Sequence, residues 1–162
     1  MTEPRWLTIA RKYVGTREIV GPKHSSIITA WLMKLGAWWR DDETPWCGVA
    51  VAAWMSEAGL PYPKHWYRAK AWSEYGSNLR SDRVAPGAIL VFDRTGGGHV
   101  GLYVGHDDLC YHVLGGNQGN AVSITRIMKA RCIAIRWPKG EPVIGKPVRL
   151  RVDGKPVSTN EA

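Results

Sequence analysis

Apolar positions recur at helical spacing through the first third of the chain and change period in the second half. Trp6, Leu7, Ile9, Ala10, Tyr13 and Val14 fall on one helical face that stops at Gly15. Ser25 or Ser26 is placed to cap a second helix, with Ile27, Ile28, Trp31, Leu32 and Leu35 turned to the core and Gly36 ending the run. The spacing predicts a third helix with Thr44 as N-cap and Pro45 in the first turn, continuing through Trp46, Cys47, Val49, Ala50, Ala53 and Trp54 to Gly59. A shorter helical stretch runs from Arg68 to Tyr75. Five short strands are expected at 88–92, 99–104, 109–114, 121–127 and 132–137, separated by turn residues such as Gly105-His106-Asp107-Asp108 and Gly115-Gly116-Asn117. Connections this short allow only antiparallel pairing. The expected fold is α+β: helices first, then a small antiparallel sheet of about five strands.

With 162 residues, the chain is long enough for one domain with a real core. The domain is expected over residues 1–138. Residues 139–162 read as a Pro- and Gly-containing basic tail, with a marginal hairpin around Asp153-Gly154 and disorder equally compatible with the last ten positions. There is no run of about 18 apolar residues, which excludes a membrane-spanning helix, and Met1 to Trp6 lack the basic-then-apolar pattern of a secretory signal. The expectation is a protein made in a cytoplasm, which reaches any outside target only after the membrane is opened. The net charge of +8 is carried mostly by the domain and suits a polyanionic partner. The basic residues are scattered without an interleaved aromatic-basic pattern, which disfavours nucleic acid. Cys47, Cys110 and Cys132 are an odd number without a short Cys-x-x-Cys spacing, so neither a disulfide framework nor a zinc knuckle is indicated.

One of these thiols sits where chemistry is possible. Cys47 in the first turn of a helix meets free backbone N–H groups and the positive end of the helix dipole, which favour a thiolate. The bland alternative is a small buried core side chain. A thiol nucleophile needs a base, and the base an orienter. His99 enters a strand from Gly96-Gly97-Gly98, and Asn117 follows the next strand, where its amide could accept from the imidazole.

The segments that carry these residues resemble the NlpC/P60 and CHAP cysteine peptidase superfamily. Pro45-Trp46-Cys47-Gly48-Val49-Ala50-Val51-Ala52-Ala53-Trp54 is similar to its nucleophile helix. Pro86 to Phe92 and Gly98-His99-Val100-Gly101-Leu102-Tyr103-Val104-Gly105 resemble its strands around the catalytic histidine. Asp41 to Cys47, Val113 to Gln118 and Arg136-Trp137-Pro138 resemble a phage and prophage subgroup. The likeness spans residues 4–138. It implies a papain-like core and amide hydrolysis of peptidoglycan without cofactor or metal, as an endolysin acting at the cell wall after membrane permeabilisation. Cys47 would be the nucleophile and His99 the base and then the acid. Asn117 would be the third member, with His112, thirteen positions past His99, as the alternative. The acidic residue that often stands two before the CHAP asparagine is Gly115 here.

The expected partner is therefore peptidoglycan, with an anionic wall or outer-membrane lipid surface as a further attraction for the basic domain, and a monomer is expected. Trp38, Trp39, Trp66 and Trp72 could stack on sugar rings, although most tryptophans belong to cores or cleft walls. Asp41, Asp42 and Glu43 read as a solvated approach rather than a calcium loop, and Glu18 as a surface residue. A competing class is a non-catalytic wall or glycan binder in which Cys47 is only structural.

Overall fold

The computed structural model describes residues 3–19, 24–40 and 45–157. Three α-helices precede a six-stranded antiparallel sheet: α1 Arg5–Lys12, α2 Ser26–Leu35 and α3 Cys47–Glu57. The strands are β1 Ser77–Asn78, β2 Ile89–Arg94, β3 Gly97–His106, β4 Cys110–Gly115, β5 Ser123–Met128 and β6 Cys132–Trp137. Their spatial order is β1-β6-β2-β3-β4-β5. The α+β class and the five anticipated strands are present. The pattern missed β1, two exposed residues with no apolar alternation, which pairs Ser77 with Trp137 and Asn78 with Arg136. The 69–74 segment is a 3-10 helix rather than an α-helix.

The helices form where the apolar stripe and the caps agree. Ser25 Oγ accepts the Ile28 amide, and Gly36 closes α2 in the left-handed conformation (φ +79°). α3 is apolar on every side because α1 and α2 cover one flank and β3 and β4 the other. Tyr13 donates to Glu57 at 2.7 Å, tying the end of α1 to the end of α3. Trp6 Nε1 donates to Gly87 O at 2.8 Å, fastening α1 to the turn before β2.

Beyond β6 the chain returns to the sheet. His106 N donates to Val148 O and Leu150 N to His106 O, both at 2.8 Å, and Leu150 lies against Gly105. A bridge between Leu150 and Pro156 closes the anticipated hairpin, with Gly154 at φ +84°. The anticipated disorder of the last ten residues falls partly on 158–162, outside the described residues.

One buried carboxylate organises the β3–β4 hairpin. Asp107 accepts the backbone amides of Leu109 and Cys110 through Oδ1, both at 3.1 Å. It also accepts Arg126 of β5 through both oxygens, at 2.8 and 3.0 Å. His112 Nε2 reaches Oδ2 at 2.8 Å. The Arg126 guanidinium holds the Asp107 carboxyl well below the usual carboxylate range, and the His112 and backbone donors add to that. Because the folded protein keeps this carboxylate ionised where the unfolded chain would protonate it, its contribution is complete above the ordinary carboxylate range and is lost as pH falls. Asp107→Ala leaves four donor groups without their acceptor, and two of them, the Cys110 amide and His112 Nε2, are buried. Urea unfolding at neutral pH should show a loss of about 3 kcal/mol, and the acid limb of stability should flatten; an unchanged midpoint would remove Asp107 from this role.

Candidate active site

Cys47 is the first residue of α3, and Trp46 is its N-cap (φ −125°, ψ 19°) without a side-chain cap bond. The helix thus starts two residues later than the sequence suggests, and Pro45 precedes the N-cap instead of occupying the first turn. Thr44, the expected cap, lies outside the described residues, as do Asp41, Asp42 and Glu43. The first intrahelical bond runs from Ala50 N to Trp46 O at 3.0 Å, so the amides before Ala50 have no partner within the helix.

Close backbone approach builds the wall beside the thiol. A Cβ on Gly48 would stand 2.3 Å from Trp66 O and 3.2 Å from Tyr67 C, so only glycine lets the 66–67 strap lie on the helix start. Trp72 Nε1 donates to the same Trp66 carbonyl at 3.1 Å and holds the strap down. On the other side, the cleft of about 470 Å³ is bounded by Arg94, the glycines 96–98 and Asn117.

His99 is the third residue of β3 and is buried, 4% exposed. Its Nε2 lies 2.8 Å from Gln118 Oε1. The Gln118 amide is pinned: its Nε2 donates to Val113 O at 3.0 Å and to Ser123 O at 2.7 Å. With both amide hydrogens spent on carbonyls, Oε1 must face the imidazole, and that oxygen can only accept. His99 Nε2 therefore carries the proton, and Nδ1 keeps its lone pair.

The partner of His99 is thus neither of the two residues the sequence suggests. Asn117 lines the cleft with Cys47, but it adopts φ +57°, and the turn it makes brings the next side chain, Gln118, back to the ring. His112 pairs with Asp107 instead. The β3–β4 register sets Leu102 opposite Leu114 and Gly105 opposite His112. His112 is therefore six residues along β3 from His99, about 20 Å away at strand rise. Gly115 explains the missing acid of the resembled pattern: a Cβ there would stand 2.5 Å from Gln118 Oε1 and 3.4 Å from His99 Nε2. Glutamine occupies the space that a side chain at 115 would need.

Burial overrides the helix dipole at the nucleophile. The sequence position argues for a lowered thiol pKa, yet burial pushes the Cys47 thiol up. The amides of Val100 and Gly48 and the Arg94 charge pull it back only in part. Burial also pushes the His99 imidazole down, against the Gln118 bond, and the Arg94 and Arg131 charges add to that fall. Both shifts favour uncharged partners. They oppose a preformed thiolate and imidazolium at Cys47 and His99.

Of the cations around the cleft, Lys70 is paired with Asp93 at 2.8 Å, whereas Arg68 lies over the Tyr67 ring and Arg94 acts on both Cys47 and His99. The cleft is accordingly electropositive. Trp72 is fully buried and Trp66 nearly so, so neither is free to serve as the sugar platform considered for it. No group of three or more His, Cys, Asp or Glu able to hold a metal occurs among the described residues. No helix there is long and apolar enough to cross a membrane.

No protein-family model matches the chain, and no curated protein matches it in sequence.

Two measurements check this arrangement. Alkylation of Cys47 by iodoacetamide, followed by peptide mass spectrometry, should accelerate only as pH rises through and beyond the ordinary thiol range. A plateau across roughly pH 5 to 7 would mean a preformed thiolate. Imidazole 15N shifts should report His99 as the Nε2–H tautomer. Gln118→Ala should mix the two tautomers, and an unchanged spectrum would show that Gln118 does not orient the ring.

Proposed function

We propose that the protein is a papain-like cysteine hydrolase of the NlpC/P60 type that cleaves an amide bond of peptidoglycan, in the peptide stem or at the muramoyl–alanine link. The observation that carries the reading is the pinned Gln118 amide fixing the Nε2–H tautomer of His99, while the amide of the next residue, Val100, acts on the Cys47 thiol. A general base needs one ring nitrogen held in the accepting form, and the Gln118 bond assigns that form to Nδ1.

In the first step Nδ1 of His99 takes the thiol proton as Cys47 Sγ forms a bond to the substrate carbonyl carbon. The carbonyl electron pair moves to oxygen, and the amides at the start of α3, which have no partner within the helix, are the donors for that oxyanion. The imidazolium then gives its proton to the leaving amine as the C–N bond breaks, leaving a thioester. Water, deprotonated by the same Nδ1, attacks the thioester, and the thiol leaves with the proton returned. Gln118 acts only through His99 and is a positioning residue.

Arg68 and Arg94 suit carboxylates carried by a peptide stem, and the +8 charge suits an anionic wall. Host-cytoplasmic synthesis and release to the wall as an endolysin, acting as a monomer, belong to the same proposal.

Purified sacculi should release soluble fragments with the wild-type protein. Cys47→Ala and His99→Ala, shown to be folded by circular dichroism, should each lose about a thousandfold or more in rate. Mass spectrometry of the fragments names the bond. A wild-type protein that sediments with sacculi but releases nothing would replace the hydrolase with a wall binder.

A further inference from the structure

A second cavity, about 610 Å³, opens beside the Cys47 cleft and shares Pro45 and Tyr67 with it. Its volume lies within the range of small-ligand sites, about 300 to 1,000 Å³. The lining is aromatic. Trp39 stacks on Trp66 with centroids 5.9 Å apart and planes 25° from parallel. Tyr67 stands edge-on to both, at 5.8 and 5.5 Å. Trp38 meets Trp39 at 5.4 Å and is 89% exposed.

That exposure does not come from a loose loop. Gly36 turns the chain out of α2, Ala37 is buried with its amide on Leu32 O, and Arg40 donates to the carbonyls of Ala37 and Trp39. The backbone on both sides of Trp38 is tied, and the indole stands out to solvent with its edge contact on Trp39. An aromatic face presented to water on an ordered backbone at the rim of a cavity is the mark of a binding surface.

We infer that this groove is a glycan subsite, which takes an uncharged N-acetylated pyranose unit stacked against Trp38 and Trp39. Indole faces are electron-rich and flat, and the axial C–H groups of a pyranose ring are weakly positive and lie in one plane. The rim supplies polar groups for hydroxyls: the Arg40 guanidinium, and a Tyr67 hydroxyl bonded to His65 Nδ1 at 3.0 Å. Charge separates the two cavities. Arg68 and Arg94 line the Cys47 cleft, whereas none of the described residues lining the groove is ionised. A neutral sugar therefore fits the groove, and an acidic peptide the cleft.

The two sites are locked in register by contact at Gly48. The Trp66–Tyr67 strap forms one wall of the groove and touches α3 one residue after Cys47. A ring bound in the groove is thereby held at a fixed offset from the nucleophile. This placement rests on the hydrolase reading; the binding of sugar does not.

The test uses 15N-labelled Cys47→Ala protein and the β-1,4-linked tetramer of N-acetylglucosamine. The Trp38 and Trp39 indole N–H signals, assigned through Trp38→Phe and Trp39→Phe, should shift saturably while those of Trp54 and Trp72 stay in place. Trp38→Ala should weaken binding about tenfold or more, and Trp38→Tyr should restore most of it. No shift at about 10 mM tetramer, where even a millimolar site fills, would overturn the inference. So would Trp38→Ala binding as well as its parent, or a dimer in sedimentation that Trp38→Ala dissolves, since the face would then be an interface between copies. Saturable shifts in a protein whose wild type leaves sacculi intact would keep the subsite and remove the hydrolase; cleavage of sacculi without shifts would do the reverse.

Discussion

The antiparallel register of β3 on β4 is the constraint from which the site follows. With Leu102 opposite Leu114, the residues just past β4 must arrive at the start of β3, where His99 sits. Asp107 fixes that register from the far end. It satisfies the two amides of the turn and clamps β5 through Arg126. A slip of one residue would turn every side chain of the hairpin to the opposite face and separate His99 from Gln118. The carboxylate network at one end of the strands and the imidazole–amide pair at the other are therefore mechanically connected. His112, which looks like a catalytic candidate by spacing alone, belongs to the structural end.

Most of the architecture is legible in the order of residues because helix and strand periods differ and glycines punctuate them. The apolar stripe of α1, the serine cap and Gly36 of α2, and the five longer strands all announce themselves. β1 does not, since two polar residues form a strand only where a neighbouring edge offers hydrogen bonds. The 3-10 character of 69–74 is equally silent. The segment packs on β2, β3 and β6, tertiary contacts that the order of residues does not display.

The catalytic candidates divide in the same way. Cys47 and His99 are marked by local context, a helix start and a glycine-flanked strand. The third member is set by which side chain swings back after the strand ends. Extending the register of Leu102 opposite Leu114 leads to Asn117 opposite His99, and strand alternation would point one of its neighbours away. The left-handed conformation of Asn117 breaks that alternation and returns Gln118 to the ring. A polar residue beside the expected one, preceded by glycines with no side chain to block it, is the signal that was available. The orientation of its amide was not, because that depends on carbonyls supplied by β4 and by Ser123 at the start of β5.

The thiol shows where a local rule yields to its surroundings. A helix N-terminus stabilises negative charge through dipoles that act over one turn, whereas burial removes the far larger solvation of the anion. At Cys47 burial dominates, and at His99 the same burial disfavours the cation. A site that discourages both charges cannot store a preformed ion pair. In the proposed hydrolysis a proton would move from sulfur to nitrogen as the carbonyl is attacked, and the new negative charge would pass to an oxygen facing the helix amides. Gln118 matters most at that instant. Its oxygen, already aligned on Nε2–H, strengthens its hold as the ring becomes positive, and no side chain must reorganise. Arg94 acts oppositely on the two partners, favouring thiolate and opposing imidazolium, so a substrate carboxylate that neutralised it would make the proton easier for His99 to accept.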